Sequence, residues 1–220
     1  QVKHMVRGWL PAVEAALADF EEAARATALT EKYANGFPPG YRLGAGPEEA
    51  ALDINELGQL ADINERRVRL YRNDEDADDR LRLKLYSLAP VALSDAVPAL
   101  ENFGFRAIEE MTTAVDGGKL GHIQRFLLAI RDGGDARALL ERSDLLSDSL
   151  VNVLTAKAED DRFNELIVSA SLDDRAVVLL RALFRYIRQT GKPYAIATFV
   201  DTLRKQHDIT RHLIALFTAL

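Results

Sequence analysis

The sequence predicts an α+β fold, a small antiparallel sheet with helices packed on one face and flanked by helical segments, from three observations. Apolar residues recur at helical spacing up to about residue 64. Alternation with period two then governs 66–132, interrupted by one helical stretch, and helical spacing returns from Asp135 onward. At 220 residues and 48% hydrophobic content the chain has enough apolar matter for a sizeable core.

Trp9, Val13, Leu17 and Phe20 form the stripe of an amphipathic helix from about Val6 to Tyr33, with a break expected near Thr27 to Thr30. Pro11 lies near its start, where a missing N–H costs little. In the "YANGFPPGYR" that follows, Gly36 ends the helix, and Pro38 and Pro39 hold Phe37 and Pro38 extended. Pro47, with Glu48 and Glu49 behind it, suits the first turn of a second helix that runs to about Ala61. Its stripe is Ala50, Ile54, Leu57 and Ala61.

Strands come next. In "RRVRLYR" Val68 and Leu70 alternate with arginines, and "RLRLKLY" alternates Leu81, Leu83 and Leu85 with Arg82, Lys84 and Tyr86, the pattern of a half-buried strand. The acidic "NDEDADD" between them reads as a solvated connection, because it lacks the glycine and distal glutamate of a calcium loop. Ser94 is placed as the N-cap of a helix of some ten residues that Gly104 stops, with Val97 and Leu100 inward. "FRAIEEMTTAV" and "HIQRFLLAIRD" are two further strands joined by the turn "DGGKLG".

The remainder is helical. Val177, Leu180, Phe184 and Ile187 share one face of a helix that Ser171 and Asp174 open as a capping box and Gly191 closes. Two more helices follow "KPY". The organisation is therefore a leading helical segment and linker (1–64), an α+β unit (65–134) and a helical domain (135–220) that changes over near Gly133-Gly134. Position 1 is not Met, and Ile209, Leu213, Leu216 and Leu220 share a face at an uncapped end, so the chain reads as an excised fragment truncated at its C-terminus.

Composition narrows the function. Lys and Arg total 28 against 34 acids, a net charge of −6, which opposes the basic footprint of nucleic-acid binding. There is no cysteine, hence no thiolate metal site or cysteine nucleophile, and no apolar run approaches the roughly 18 residues of a membrane span. No signal peptide is visible, and a cytoplasmic location is expected.

Reaction chemistry is not visible either. His207 and His212 are five apart, off the four-residue spacing that puts two ligands on one helical face, so no metal site is assigned. The glycines of "GAG" (Gly44–Gly46) and of "DGGKLG" fit turns better than phosphate cradles, and no GxSxG elbow occurs. The adjacent pairs Glu109-Glu110 and Asp173-Asp174 read as solvated positions, and Arg181, Arg185 and Arg188 as an exposed basic stripe. No catalytic and no cofactor-binding residue is assigned.

In order, the Trp9 helix, "YANGFPPGYR", "DINELGQL", "VRLYR", "RLRLKLY", "LSDAVPALENFGFRAIEE" and "RFNELIVSASLDDRAVVLLRALFRYIRQTG" resemble the large type of bacterial NAD-specific glutamate dehydrogenase. The resemblance implies an ACT-like unit with helical segments, non-catalytic in itself, within a longer enzyme of amino-acid catabolism. That enzyme converts L-glutamate to 2-oxoglutarate and ammonia with NAD as cofactor; no cofactor is expected on this fragment. It implies as partners the rest of the polypeptide, other subunits of a homo-oligomer and an amino-acid effector, but no nucleic acid and no membrane. "FPPGYR" resembles the family's corner between two helices. Arg125-Phe126 departs from an acidic residue before phenylalanine on the fourth strand. For effector binding the candidates are Ser94 and Asp95, where helix N–H groups face outward; an ordinary N-cap is the competing reading. A self-contained protein–protein interaction module without effector binding is the alternative function.

Overall fold

A computed structural model describes residues 8–191 and 194–219. The expected helix start at Val6, His4, Lys192-Pro193 and Leu220 lie outside them. The fold is α+β: four strands form one antiparallel sheet in the order β1–β2–β4–β3, with β1 Arg66–Tyr71, β2 Arg80–Ser87, β3 Phe105–Val115 and β4 Gly121–Ile130. Two compact units are formed, one from the chain up to Val68 with Lys84–Val91 and Glu110–Arg125, the other from Arg69–Leu83, Ala92–Glu109 and the chain from Phe126.

The first unit opens with α1 Trp9–Leu17 and α2 Ala23–Tyr33. The helix breaks at 18–22 rather than at Thr27–Thr30, because Thr27 and Thr30 turn their hydroxyls back to the carbonyls of Ala23 and Ala26 inside a continuous helix. Phe20, beyond the end of α1, is accordingly exposed, while Val13 and Leu17 are buried with Leu29, Tyr33, Ile54 and Leu57.

The proline corner is more structured than its sequence suggests. Phe37 and Pro38 are extended as expected, but Pro39 then takes the first position of a short helix, α3 Pro39–Gly44. Arg42 staples the corner: its Nε donates to Phe37 O at 2.9 Å, its Nη2 donates to Asn35 O at 2.8 Å, and its guanidinium lies over the Trp9 ring. The Trp9 indole N–H donates to Ala34 O at 2.9 Å, and the Phe37 and Tyr41 rings stack with centroids 4.4 Å apart. Pro47 begins α4 Pro47–Gly58, three residues shorter than expected, so Ala61 is exposed.

In the second unit the acidic connection is not simply solvated. Asp76 turns back on β2, its carboxylate accepting from Arg82 Nε and Nη2 at 2.7 Å each and from the Asn73 N–H at 2.8 Å. Helix α5 is Leu93–Asn102, and Gly104, at φ +87°, carries the chain into β3. Then follow α6 Ala136–Leu140, α7 Ser143–Leu154, α8 Glu165–Ser169, α9 Asp174–Gln189, α10 Ile196–Lys205 and α11 His207–Thr218. Phe163, Phe184 and Phe199 pack as three tilted rings with centroids 5.1–6.0 Å apart, bringing α9 and α10 onto the turn before α8.

Two expectations about α9 are corrected. Asp173, not Ser171, is its N-cap, accepting from the Ala176 N–H at 2.8 Å, and Asp174 accepts from Ser149 and Asn152. Arg181 is buried rather than part of an exposed stripe: Asp161 takes it in two bonds of 2.8 and 2.9 Å, and Asn164 Oδ1 accepts a third at 3.1 Å. Arg185 and Arg188 remain on the surface, and Gly191 closes the helix at φ +81°.

Candidate functional site

Ser94 and Asp95 lie in the first turn of α5, both exposed, and the Ser94 hydroxyl is 3.2 Å from Asp95 Oδ1. The N-cap is Ala92, so Ser94 does not cap the helix as expected: the helix starts two residues earlier, at Leu93 rather than Asp95. Neither residue lines either of the two cavities described for the chain.

A buried charge cluster missed by sequence reasoning lies in the first unit. β2 alternates only as far as Leu83, and from Lys84 to Ser87 every residue is buried. Asp53 of α4 explains this. Its carboxylate accepts from Lys84 Nζ at 2.7 and 2.5 Å, from the Tyr86 hydroxyl at 2.7 Å and from the Tyr41 hydroxyl. Glu49, one turn earlier on α4, lies 2.5 Å from the same ammonium. Burial, and secondarily the Asp53 carboxylate, push the Tyr41 hydroxyl far above its ordinary pKa, so Tyr41 stays a donor. None of its residues lines either of the two cavities described, and the cluster acts as an internal lock joining corner, helix and strand.

The second unit holds a different arrangement. Glu165 opens α8 ahead of buried Leu166 and Ile167, which draw it inward until its side chain is only 3% exposed. Gly104 makes the room: a Cβ there would stand 3.1 Å from Glu165 Cγ. Three guanidiniums approach the carboxylate loosely, Arg162 at 3.3 Å and Arg131 and Arg204 at 3.5 Å. Glu165 Oε1 and Arg204 Nε are both buried, and among the described residues neither makes a hydrogen bond. They border a cavity of about 500 Å³ whose wall also includes Asp132, Asp135, Leu139, Arg142 and Val168. Burial lowers the pKa of Arg142, whose Nη2 donates to Ile167 O at 3.1 Å. The only sequence signal was an acid opening an apolar run in "NELIV", too short for a periodicity to register.

Comparison with known proteins matches the sequence to named segments. Residues 15–60 match the model for glutamate dehydrogenase, helical motif 2; 65–141 match the glutamate dehydrogenase ACT3 domain; and 158–220 match glutamate dehydrogenase, helical motif 3. The NAD-specific glutamate dehydrogenase of Pseudomonas aeruginosa is 30% identical over 220 residues, 99% of this chain and 14% of that protein. That of Halomonas elongata is 30% identical over 216 residues, covering 97% of this chain and 13% of its own length. The Mycobacterium tuberculosis enzyme of the same name is 29% identical over 222 residues, with 97% and 13% covered. The chain belongs to the glutamate dehydrogenase family.

Within that family frame, Ser94 and Asp95 fall in the ACT3 stretch, while the cavity draws Gly104, Asp132, Asp135 and Leu139 from ACT3 and Glu165, Arg204 and His207 from helical motif 3. The relatives are named as NAD-specific glutamate dehydrogenases, and this chain corresponds to 13–14% of their length. The glycines here do not fit that dinucleotide. Gly117 and Gly118 sit in the β3–β4 hairpin, while Gly44 ends α3 and Gly46 caps α4, so neither stretch leads from a strand into a helix as a pyrophosphate cradle does. Among the described residues no group of three or more potential ligands is arranged for a metal ion, and no helix is long and apolar enough to cross a membrane.

Proposed function

We propose that this chain is a regulatory and assembly segment of an NAD-dependent glutamate dehydrogenase that converts L-glutamate to 2-oxoglutarate and ammonia, and that the chain itself is non-catalytic. The supporting observation is the uninterrupted order of helical motif 2, ACT3 and helical motif 3 along it, with the chain spanning only 13–14% of its relatives' length. The buried charged cluster supports the same reading: the Asp53 carboxylate is taken up by Lys84, Tyr86 and Tyr41 and acts as a structural lock rather than a reacting group. Effector capture and contact with the rest of the polypeptide and with other subunits are the roles this leaves.

The test uses the chain and the full-length dehydrogenase that carries it. The purified chain should give no glutamate-dependent NADH, and deleting it from the full enzyme should change oligomeric state or effector response. NADH formation by the chain alone would refute the non-catalytic assignment. A deletion that alters neither assembly nor effector response would refute the regulatory one.

A second reading, a self-contained interaction module without effector binding, is favoured by one observation. Ile209, Leu213, Leu216 and Phe217 on α11 are all exposed, an apolar row that a partner surface would cover. It predicts a stable complex unaffected by small molecules.

A further inference from the structure

We infer that α10 and α11 form an arm that lifts from the second unit as one body, held shut by a latch of alternating charges around Glu165. Three features carry this. First, the arm has little apolar anchorage. α9 buries Ala176, Val177, Leu180, Arg181 and Phe184, whereas among the described residues α10 buries only Val200 and α11 only Thr210. The Thr210 hydroxyl donates to Leu203 O at 2.8 Å, so α11 is tied to α10. Phe199 is the ring that α10 adds to the aromatic cluster, and Phe163 and Phe184 still meet each other at 5.6 Å without it. An element with few buried apolar contacts opens locally at far lower cost than the core unfolds.

Second, the polar attachment is a loose ring. Arg162 and Glu165 face Asp201 and Arg204 of α10: Arg162 lies 3.0 Å from Asp201, and Arg204 lies 3.5 Å from Glu165. Contacts within each pair close the ring, at 3.3 Å between Arg162 and Glu165 and 3.9 Å between Asp201 and Arg204. Just after β4, Arg131 meets Glu165 and Asp132 meets Arg204, so three acids balance three guanidiniums. Most of these contacts are longer than the roughly 2.7–2.9 Å of a strong charge-assisted bond. α9 is held differently, by the tight fork of 2.8 and 2.9 Å between Arg181 and Asp161.

Third, release strands no charge. When α10 lifts, Asp201 and Arg204 leave together, and the buried Glu165 carboxylate keeps Arg131 and Arg162. The large cost of leaving one partner of a buried pair alone is thereby avoided. The outer members are open to solvent, with Asp132 at 62% and Asp201 at 40% of side-chain area, so dissolved salt weakens their contacts.

The experiment is hydrogen–deuterium exchange of the 220-residue chain, read peptide by peptide in a mass spectrometer, with α9 and the central strands β2 and β4 as internal references. Amides of α10 and α11 should share one protection factor, about tenfold or more below that of α9. Arg204→Gln and Asp201→Asn should each speed exchange in both helices by about threefold or more, as should about 1 M sodium chloride, with α9, β2 and β4 unchanged. The arm is overturned if α10 is as protected as β2 and β4, if the α11 rate does not follow that of α10 across the variants, or if Arg204→Gln and salt leave α10 as it was. A speed-up shared equally by α9 and the sheet would overturn it too, because that is global destabilisation. The regulatory and assembly role stands apart from this test: it is read from oligomeric state and effector response, and the arm from amide exchange.

Discussion

Lys84 Nζ lies 2.7 and 2.5 Å from the two oxygens of Asp53, with the lysine side chain 4% exposed and the carboxylate fully buried. This pair crosses from the central strand β2 to α4, and Tyr86 and Tyr41 complete the carboxylate's hydrogen bonds. A buried ion pair adds little over a well-packed apolar substitute, but removing one partner strands the other's charge. Asp53→Leu or Lys84→Met alone should therefore each cost about 3–5 kcal/mol. The double variant should cost less than the sum by about 1–3 kcal/mol, read as a coupling energy from urea unfolding curves. Additive losses would show that the pair does not act as a unit.

Gly121 offers a test of backbone demand at the start of β4. Its φ of +121° is a conformation L side chains rarely adopt, and a Cβ there would meet Leu57 Cδ2 at 2.9 Å and Ser87 O at 3.0 Å. The carbonyl cannot move without breaking the strand. Gly121→Ala should destabilise the chain by about 2–4 kcal/mol, from strain and overpacking together. Gly117→Ala, equally left-handed but with open space around it, should cost about 1 kcal/mol by backbone conformation alone.

The acidic connection predicts a pH dependence. The hydrogen bonds from Arg82 hold the Asp76 carboxyl below the usual carboxylate range, and the Asn73 N–H reinforces them. A carboxyl with a lower pKa folded than unfolded contributes stability that is fully present above the unfolded value and is lost as pH falls through the folded one. The urea midpoint should thus drop as pH falls from about 5 towards about 2, more steeply in the parent than in Asp76→Asn. Equal slopes in the two proteins would remove Asp76 from the acid response.

How much of this was legible follows from the range over which each feature is encoded. Strands 66–71 and 80–87 and the helix after Pro47 rest on local periodicity and proline chemistry, and they lie where the sequence placed them. Asp53 and Lys84 are 31 residues apart, and each looks like an ordinary polar position in its own element, so only the folded chain reveals that they meet. The same holds for Glu165, met by Arg131 from one side in sequence and Arg204 from the other. Arg181 was misread for a related reason. A charged residue flanking an apolar stripe looks solvated until the distant acid that buries it, Asp161, is known. Ser94 was favoured as a cap by residue type, yet the backbone chose Ala92, an N-cap without a side-chain bond.

Arg181 supplies the last prediction. Its guanidinium is 5% exposed and gives two parallel bonds to Asp161 and one to Asn164, while its plane lies 5.7 Å from the centre of the Phe163 ring. Those contacts join α9 to the turn that leads into α8, and through Phe163 to the aromatic cluster with Phe184 and Phe199. Lysine keeps the charge but offers a point donor where the site has a planar fork, so Arg181→Lys should lose about 1–3 kcal/mol. Arg181→Met should lose more, about 2–4 kcal/mol, because Asp161 is then left partly buried without its cation. Adding Asp161→Asn to Arg181→Met should recover part of that loss. Because Asp161 also accepts from the Phe163 N–H at 3.0 Å, recovery should be incomplete. Chemical denaturation of the three variants checks the order; a lysine variant as stable as the parent would show that charge alone, not the fork, holds α9 in place.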